Sequence, residues 1–336
     1  MKRLAAAAAA LMVAWSGQAW AWGSTGHRLI GVAAAEAFPN TLPAFVRSPQ
    51  AIRDIGELAR EPDRWKGDVG KLHDAMREPY HFIDIDDEGK ILGGPPIDAM
   101  PATYQEYEAA LHASGTDTTK AGALYYAIID ARQQLAKDFA YWRALVAAEK
   151  RERNRARKAW YRQDRVRREA LVLRDLGVLA HYVGDGSQPL HTSIHYNGWG
   201  DYPNPQGFTT DRGTHSMFEG AFVRANVNLQ DVRGRMKPAQ PCVGWPEPCV
   251  RDYLKASNTH LVPFYAMEKA GAFRGATPQA REFTAERLAV GASALRDMVA
   301  DAWTISRDVT VGWSPVSIQQ IESGEVDAWV ALQGKD

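Results

Sequence analysis

With 336 residues, of which 45% are hydrophobic and 24% charged, the chain is long and apolar enough to bury a core, and its composition excludes a disordered protein. Lys+Arg and Asp+Glu balance at 40 each, so net charge alone selects neither a nucleic acid nor a membrane as partner.

Residues 1–21 have the pattern of an export leader. Lys2 and Arg3 supply positive charge, residues 4–15 are apolar and alanine-rich, and Ala19-Trp20-Ala21 fits the small-x-small cleavage rule. The apolar run is too short for a membrane span, and no later stretch approaches about 20 uncharged apolar residues. The expected product is a secreted or periplasmic chain that begins at Trp22 and carries no transmembrane helix.

Helical spacing of apolar residues runs through 25–38 and stops at Pro39-Asn40. A less regular region follows to about residue 100, with strand-like alternation only over 80–85. Helical patterns then cover 101–113, 118–149, about 165–184, 212–226, 250–271 and 277–304, separated by Gly/Pro/Asn-rich loops at 196–213 and 233–249. The expectation is one all-α domain over 22–336, a multi-helix bundle with long loops. Cys242 and Cys249 close a Pro/Gly-rich loop, which in an exported protein reads as a disulfide. Residues 151–168 hold nine Lys/Arg against two acids, with Trp160 and Tyr161 among them. Such a segment is either a landing patch for a polyanion or a solvated, salt-bridged helix face.

The chemistry concentrates in HYVGDGSQPLH (181–191). His181 and Asp185 are four apart in a helical pattern and so share a face. Gln188-Pro189 ends the helix, and His191 follows on the turn beyond it. An imidazole and a carboxylate on one face, met by a second imidazole, make a metal-site pattern; a buried His–Asp hydrogen bond is the alternative for the first pair alone. THSMFEGAF (214–222) repeats the spacing with His215 and Glu219. WGSTGH (22–27) adds His27 about one turn after a free α-amino group at Trp22, whose pKa of about 7.7–8.0 permits metal binding at mild pH. Imidazoles make up so much of this set that hard, all-oxygen ions are disfavoured and zinc is preferred.

Taken together, these three motifs resemble the zinc-dependent S1/P1 nuclease and bacterial phospholipase C superfamily, in order and over nearly the whole mature chain. The resemblance implies three zinc ions. Trp22 (amine and carbonyl), His27 and Asp185 would hold one. Asp63, His81, His181 and a bridging Asp185 would hold the second, and His191, His215 and Glu219 the third. Asp68 and Asp74 lie near enough in sequence to compete with Asp63. His73, His112, His195 and His260 match no motif and read as structural or exposed. Catalysis would use a metal-activated water, with Asp63 orienting or deprotonating it and Asp185 bridging the metals.

The substrate expected from WGSTGH and QPLH is single-stranded DNA or RNA. Loop 192–214 lacks the Gly-Gly-Asn element of the nucleases, however, and HSMFE is more like the phospholipases, so a phospholipid is the alternative substrate. A non-catalytic zinc-binding protein on the same fold is a third reading. A monomer is expected.

Overall fold

The computed structural model describes residues 22–67, 69–242 and 246–334. The leader at 1–21 and the competing Asp68 lie outside the described residues. Helices hold 66% of the chain and strands 3%, so the all-α class is correct. The described strands are Thr310–Val311 and Val316–Ser317, a short antiparallel pair.

Five helices build the frame: α1 (Gly23–Glu36), α2 (Pro49–Leu58), α3 (Leu124–Arg151), α4 (Arg155–Ser187) and α5 (Pro278–Ile305). Their starts follow ordinary capping chemistry. Ser48 accepts the Ala51 amide at 3.1 Å with Pro49 at the first turn, and Thr277 accepts the Ala280 amide at 3.2 Å ahead of Pro278. Asn154 caps α4 through the amides of Ala156 and Arg157. The connection from α3 to α4 is three residues long, so the two pack side by side and antiparallel. α1 lies across α2, α4 and α5.

Glycine permits the closest of these crossings. A Cβ on Gly56 would sit 2.7 Å from Val32 of α1, and one on Gly177 would sit 2.4 Å from the Leu58 side chain at the end of α2. Main chains therefore approach where side chains would hold them apart, which brings the C-terminal half of α4 against both α1 and α2.

The structure departs from the sequence periodicity at several places. The irregular region to residue 100 contains α2, whose ten residues gave too short a pattern to stand out. The expected helix over 118–149 breaks at Gly122, where φ is 77°, leaving a one-turn Thr118–Ala121 before α3. The stretch 250–271 divides into Pro246–Asn258 and Leu261–Lys269. Residues 80–85 form no strand: a 3₁₀ turn over Glu78–His81 leads into isolated bridges at Ile83 and Ile85.

α4 begins about ten residues before its predicted start, because the basic segment 151–168 is largely helix rather than a separate arm. Its arginines are mostly paired: Arg162 and Arg165 with Glu149 at 2.9 Å, Arg167 with Asp164, Arg157 with Asp327, and Arg168 with Asp138. These five arginines thus lie on a salt-bridged helix face. The Cys242–Cys249 disulfide is formed. Among the described residues no helix is long and apolar enough to cross a membrane.

Gly177→Ala should destabilise the fold by about 1–3 kcal/mol, since the added methyl meets Leu58 main chain as well as its side chain. A urea midpoint equal to that of the parent protein would show that α2 can move away freely.

Candidate metal centre

Three groups of buried ligand-type side chains lie where α1, α4 and the turns around residues 63, 81, 191 and 215 converge. They are His27 with His181 and Asp185; Asp63 with His81 and His181; and His191 with His215 and Glu219. Within each group the ligand atoms are within 4.8 Å of one another, so each can hold a metal ion.

The first group depends on a missing side chain. The His27 ring of α1 stacks on the His181 ring of α4 with centroids 4.0 Å apart, and it lies over Gly184. A Cβ at Gly184 would come within 3.0 Å of His27 Nδ1. His27 Nε2 is 3.5 Å from Asp185 Oδ1. The other carboxylate oxygen, Oδ2, points to the second group, 3.2 Å from His81 Nδ1 and 3.3 Å from His181 Nε2. Asp185 thus offers one oxygen to each group. Asp63 Oδ1 lies 3.8 Å and 3.9 Å from the same two nitrogens.

Main-chain carbonyls set the imidazole tautomers. His181 Nδ1 donates to Ala59 O at 2.9 Å, and His191 Nδ1 donates to His81 O at 2.5 Å. Each leaves Nε2 as a lone pair directed inward. His181 Nε2 then faces His81 Nδ1 at 2.9 Å, and His191 Nε2 faces His215 Nε2 at 3.0 Å and Glu219 Oε1 at 2.9 Å. Where no proton lies between them, acceptors this close repel, and a shared proton or a cation relieves that repulsion.

The third group is shaped by a local irregularity. His215 sits in Thr214–Ser216, which runs directly into a π-helical turn over Met217–Phe222 carrying Glu219. The widened turn is a feature that recurs at functional sites. Here His215 Nε2 and Glu219 Oε1 are 2.6 Å apart, and Phe218 is buried against Trp22. Gln188 Nε2 donates to Glu219 Oε1 at 2.6 Å while its Oε1 accepts the Leu190 amide, so the residue that ends α4 also orients a ligand.

Trp22 is fully buried. Its indole donates to Ser187 Oγ at 2.9 Å, two residues past Asp185, and its carbonyl accepts the Gly26 amide. A Cβ at Gly23 would lie 3.1 Å from Glu219 O, so the start of α1 runs between the first and third groups.

Electrostatics follow from burial. Asp185 is 0% exposed, and burial raises its carboxyl well above the ordinary value. Burial likewise lowers His27 and His81 well below theirs and brings His181 to about 4. In the third group burial is overcome. It works to raise Glu219, yet His215 and His191 bring that carboxyl to about 2; it works to lower His191, yet Glu219 raises that imidazole to about 9. A proton shared here stands where a metal cation would. Asp63 behaves similarly: burial tends to raise it, but His181 and Lys66 hold it below the usual carboxylate range.

All of the side chains anticipated as ligands fall in these three groups, and of the described carboxylates around residue 63 it is Asp63 that joins them. Asp63 is buried in the second group, whereas Asp74 accepts from the Gly67 amide and faces His73 outside the centre. His195 is buried and structural, bonded to Trp199 O at 2.8 Å and Asp87 at 3.1 Å. Sequence reasoning passed over Lys66, whose ammonium is 2.8 Å from Asp63 Oδ1; its signal was helical spacing from Asp63. The segment 151–168 is remote. Arg168 is 13 residues before His181 on one helix, which at 1.5 Å per residue is about 20 Å. No protein-family model matches the sequence, and no curated protein matches it.

Asp185→Asn keeps the shape and removes the charge shared by two groups. Metal content by elemental analysis should fall by about two ions per chain, leaving the His191–His215–Glu219 group loaded. With chelator present, the variant should unfold at least as late as the parent, because a buried amide replaces a buried carboxyl. Full metal content in the variant would exclude a bridging carboxylate.

Proposed function

We propose that the chain is an exported, zinc-dependent phosphodiester hydrolase. The observation that carries the reading is Asp185: a fully buried carboxylate with no hydrogen-bond donor to either oxygen, set between imidazoles from three segments. A carboxylate in that position needs cations. Five imidazoles and three carboxylates make up the donor set, a mixture suited to zinc rather than to calcium or magnesium.

His27, Asp185 and the amine of a chain starting at Trp22 would hold one ion. Asp63, His81, His181 and Asp185 would hold another, and His191, His215 and Glu219 a third. Zinc bound there supplies a water that ionises near neutral pH and positive charge against phosphoryl oxygens. Asp63, buried beside His81 and His181, would orient or deprotonate such a water. Lys66, paired with Asp63, holds an ammonium at the same edge, where it would offset charge on a phosphoryl oxygen. Gln188 and the Ala59 and His81 carbonyls fix ligand orientation. No thiol or hydroxyl nucleophile is required, and both cysteines are in the disulfide.

Single-stranded nucleic acid is the substrate supported by the WGSTGH and QPLH resemblances. A phospholipid is the second reading, supported by the HSMFE resemblance. The ion pairing of Arg157, Arg162, Arg165, Arg167 and Arg168 also favours it, because those charges are engaged within the protein. Zinc-loaded mature protein should cleave a chromogenic phosphodiester and at least one of single-stranded DNA, RNA or phosphatidylcholine, with all activity lost to chelator. Inactivity of fully metallated protein on all four would leave only a non-catalytic zinc protein.

The role of Trp22 is tested by a chain that retains Ala21. Losing a direct ligand should reduce hydrolysis by at least the roughly 10–100-fold typical for losing an outer partner, with unchanged circular dichroism. Undiminished activity would remove the terminal amine from the ligand set.

A further inference from the structure

Under the proposed function the α-amine of a chain starting at Trp22 binds a metal beside His27 and Asp185, and the inference drawn here rests on that role. A terminal amine is held by the chain on one side only, and first residues are poorly ordered unless something ties them down. The side-chain ligands have such ties: Ala59 O holds His181, His81 O holds His191, and Gln188 holds Glu219. For Trp22 the corresponding tie is its indole.

Trp22 is 0% exposed, and among the described residues the acceptor for its indole is Ser187 Oγ at 2.9 Å. Ser187 is equally buried, and its own hydroxyl donates to Gly184 O at 2.8 Å. That commits the hydroxyl proton to the carbonyl and leaves an oxygen lone pair for the indole. The hydrogen bonds from Trp22 through Ser187 to Gly184 close over the turn of α4 that carries Asp185. The first residue of the expected mature chain is therefore gauged against the turn of the shared carboxylate.

Apolar packing alone leaves the direction of the ring less defined. Phe218 meets it at 5.4 Å and 50°, a contact that a phenyl ring in place of the indole would make as well. The serine hydroxyl, by contrast, is confined. A Cβ on Gly291 of α5 would lie 2.9 Å from Ser187 Oγ, so α5 closes the space on that side. Tyr253 lies against Gly186 and donates to Val183 O at 2.6 Å, which steadies the same turn. Trp22 itself holds φ at 28°, a conformation that bulky residues rarely adopt and that persists where the surroundings over-determine it.

We propose that Ser187 is a positioning residue, whose hydroxyl fixes the Trp22 indole and thereby aims the terminal amine at the group formed by His27, His181 and Asp185. Ser187 is itself in none of the three ligand groups. Its effect passes through the indole N–H, so removing either partner of that bond releases the amine.

The test measures zinc affinity by competition with a chromogenic chelator, in chains that begin at Trp22. Ser187→Ala should weaken the ion held by His27 and Asp185 by about 10–100-fold and leave the His191–His215–Glu219 group at its parent affinity. Trp22→Phe keeps a buried ring but removes the N–H, so it should weaken the same ion to a similar degree. The double variant decides between positioning and simple packing. Adding Ser187→Ala to Trp22→Phe should cost less than about twofold more, since no N–H is left to hold. In metal-free protein the Trp22 indole proton should exchange with solvent at least about tenfold faster once Ser187 is alanine. Unchanged zinc affinity or unchanged exchange in Ser187→Ala overturns the proposal. So does a loss equally large in both backgrounds, because the serine would then act on the fold and not through the indole. Should Ser187→Ala not fold, undiminished affinity in Trp22→Phe overturns it alone. A chain that retains Ala21 tells the two failures apart. If it binds this ion as tightly as the mature chain, the amine is no ligand and the underlying reading fails. If it binds more weakly while the double-variant effects simply add, only the role of Ser187 fails.

Discussion

A carboxylate sealed from water with no donor facing it is the constraint around which the molecule is arranged. Moving such a charge out of water carries a penalty of several kcal/mol that packing alone does not offset. Asp185 meets that condition at the middle of the bundle, and His181, whose Nδ1 donates to Ala59 O, turns a lone pair rather than a proton toward it. Repulsion among these groups is what a set of cations would convert into attraction. A metal held by these groups would couple its binding to folding, since whatever binds the assembled ligands and not the unfolded chain stabilises the assembled form.

The rest of the frame holds those lone pairs in register. α1 brings His27, α4 brings His181 and Asp185, and α2 ends just where its successor Ala59 can accept from His181. Glycines at 56, 177 and 184 set the separations, the first two by letting main chains meet and the last by giving an imidazole a flat floor. In the third group the π-helical turn does comparable work, placing Glu219 against His215 while turning Phe218 inward beside Trp22.

Legibility in the sequence tracked how local each relation is. His181 with Asp185, and His215 with Glu219, are four residues apart, so helical spacing alone placed each pair together; the Pro189 break placed His191. Asp63 could not be chosen over Asp74 from sequence because the short helix Glu61–Arg64, which turns Asp63 inward, gives too short a pattern to read. α2 was hidden by its length, and the π-turn has no periodic signature at one turn. The charge of 151–168 was visible, but its partners Glu149, Asp138 and Asp327 come from other segments, and only the folded chain shows the pairing. The cavity between α3 and α4 lined by Trp65, Tyr80, Tyr104, Tyr126 and Tyr182 was invisible for the same reason, its walls coming from five separated stretches.

The two tautomer-setting acceptors, Ala59 O and His81 O, belong to the main chain. Where a carboxylate side chain orients a ligating histidine, one nucleotide change can delete it. Here no coding change removes the acceptor, because every residue type carries the same carbonyl. Substitutions at position 59 can act only by shifting the backbone, and the 0% exposure of Ala59 limits which side chains fit without doing so. The orientation of His181 is thereby insulated from most mutation, and sequence drift around the centre should be tolerated as long as the end of α2 stays where it is.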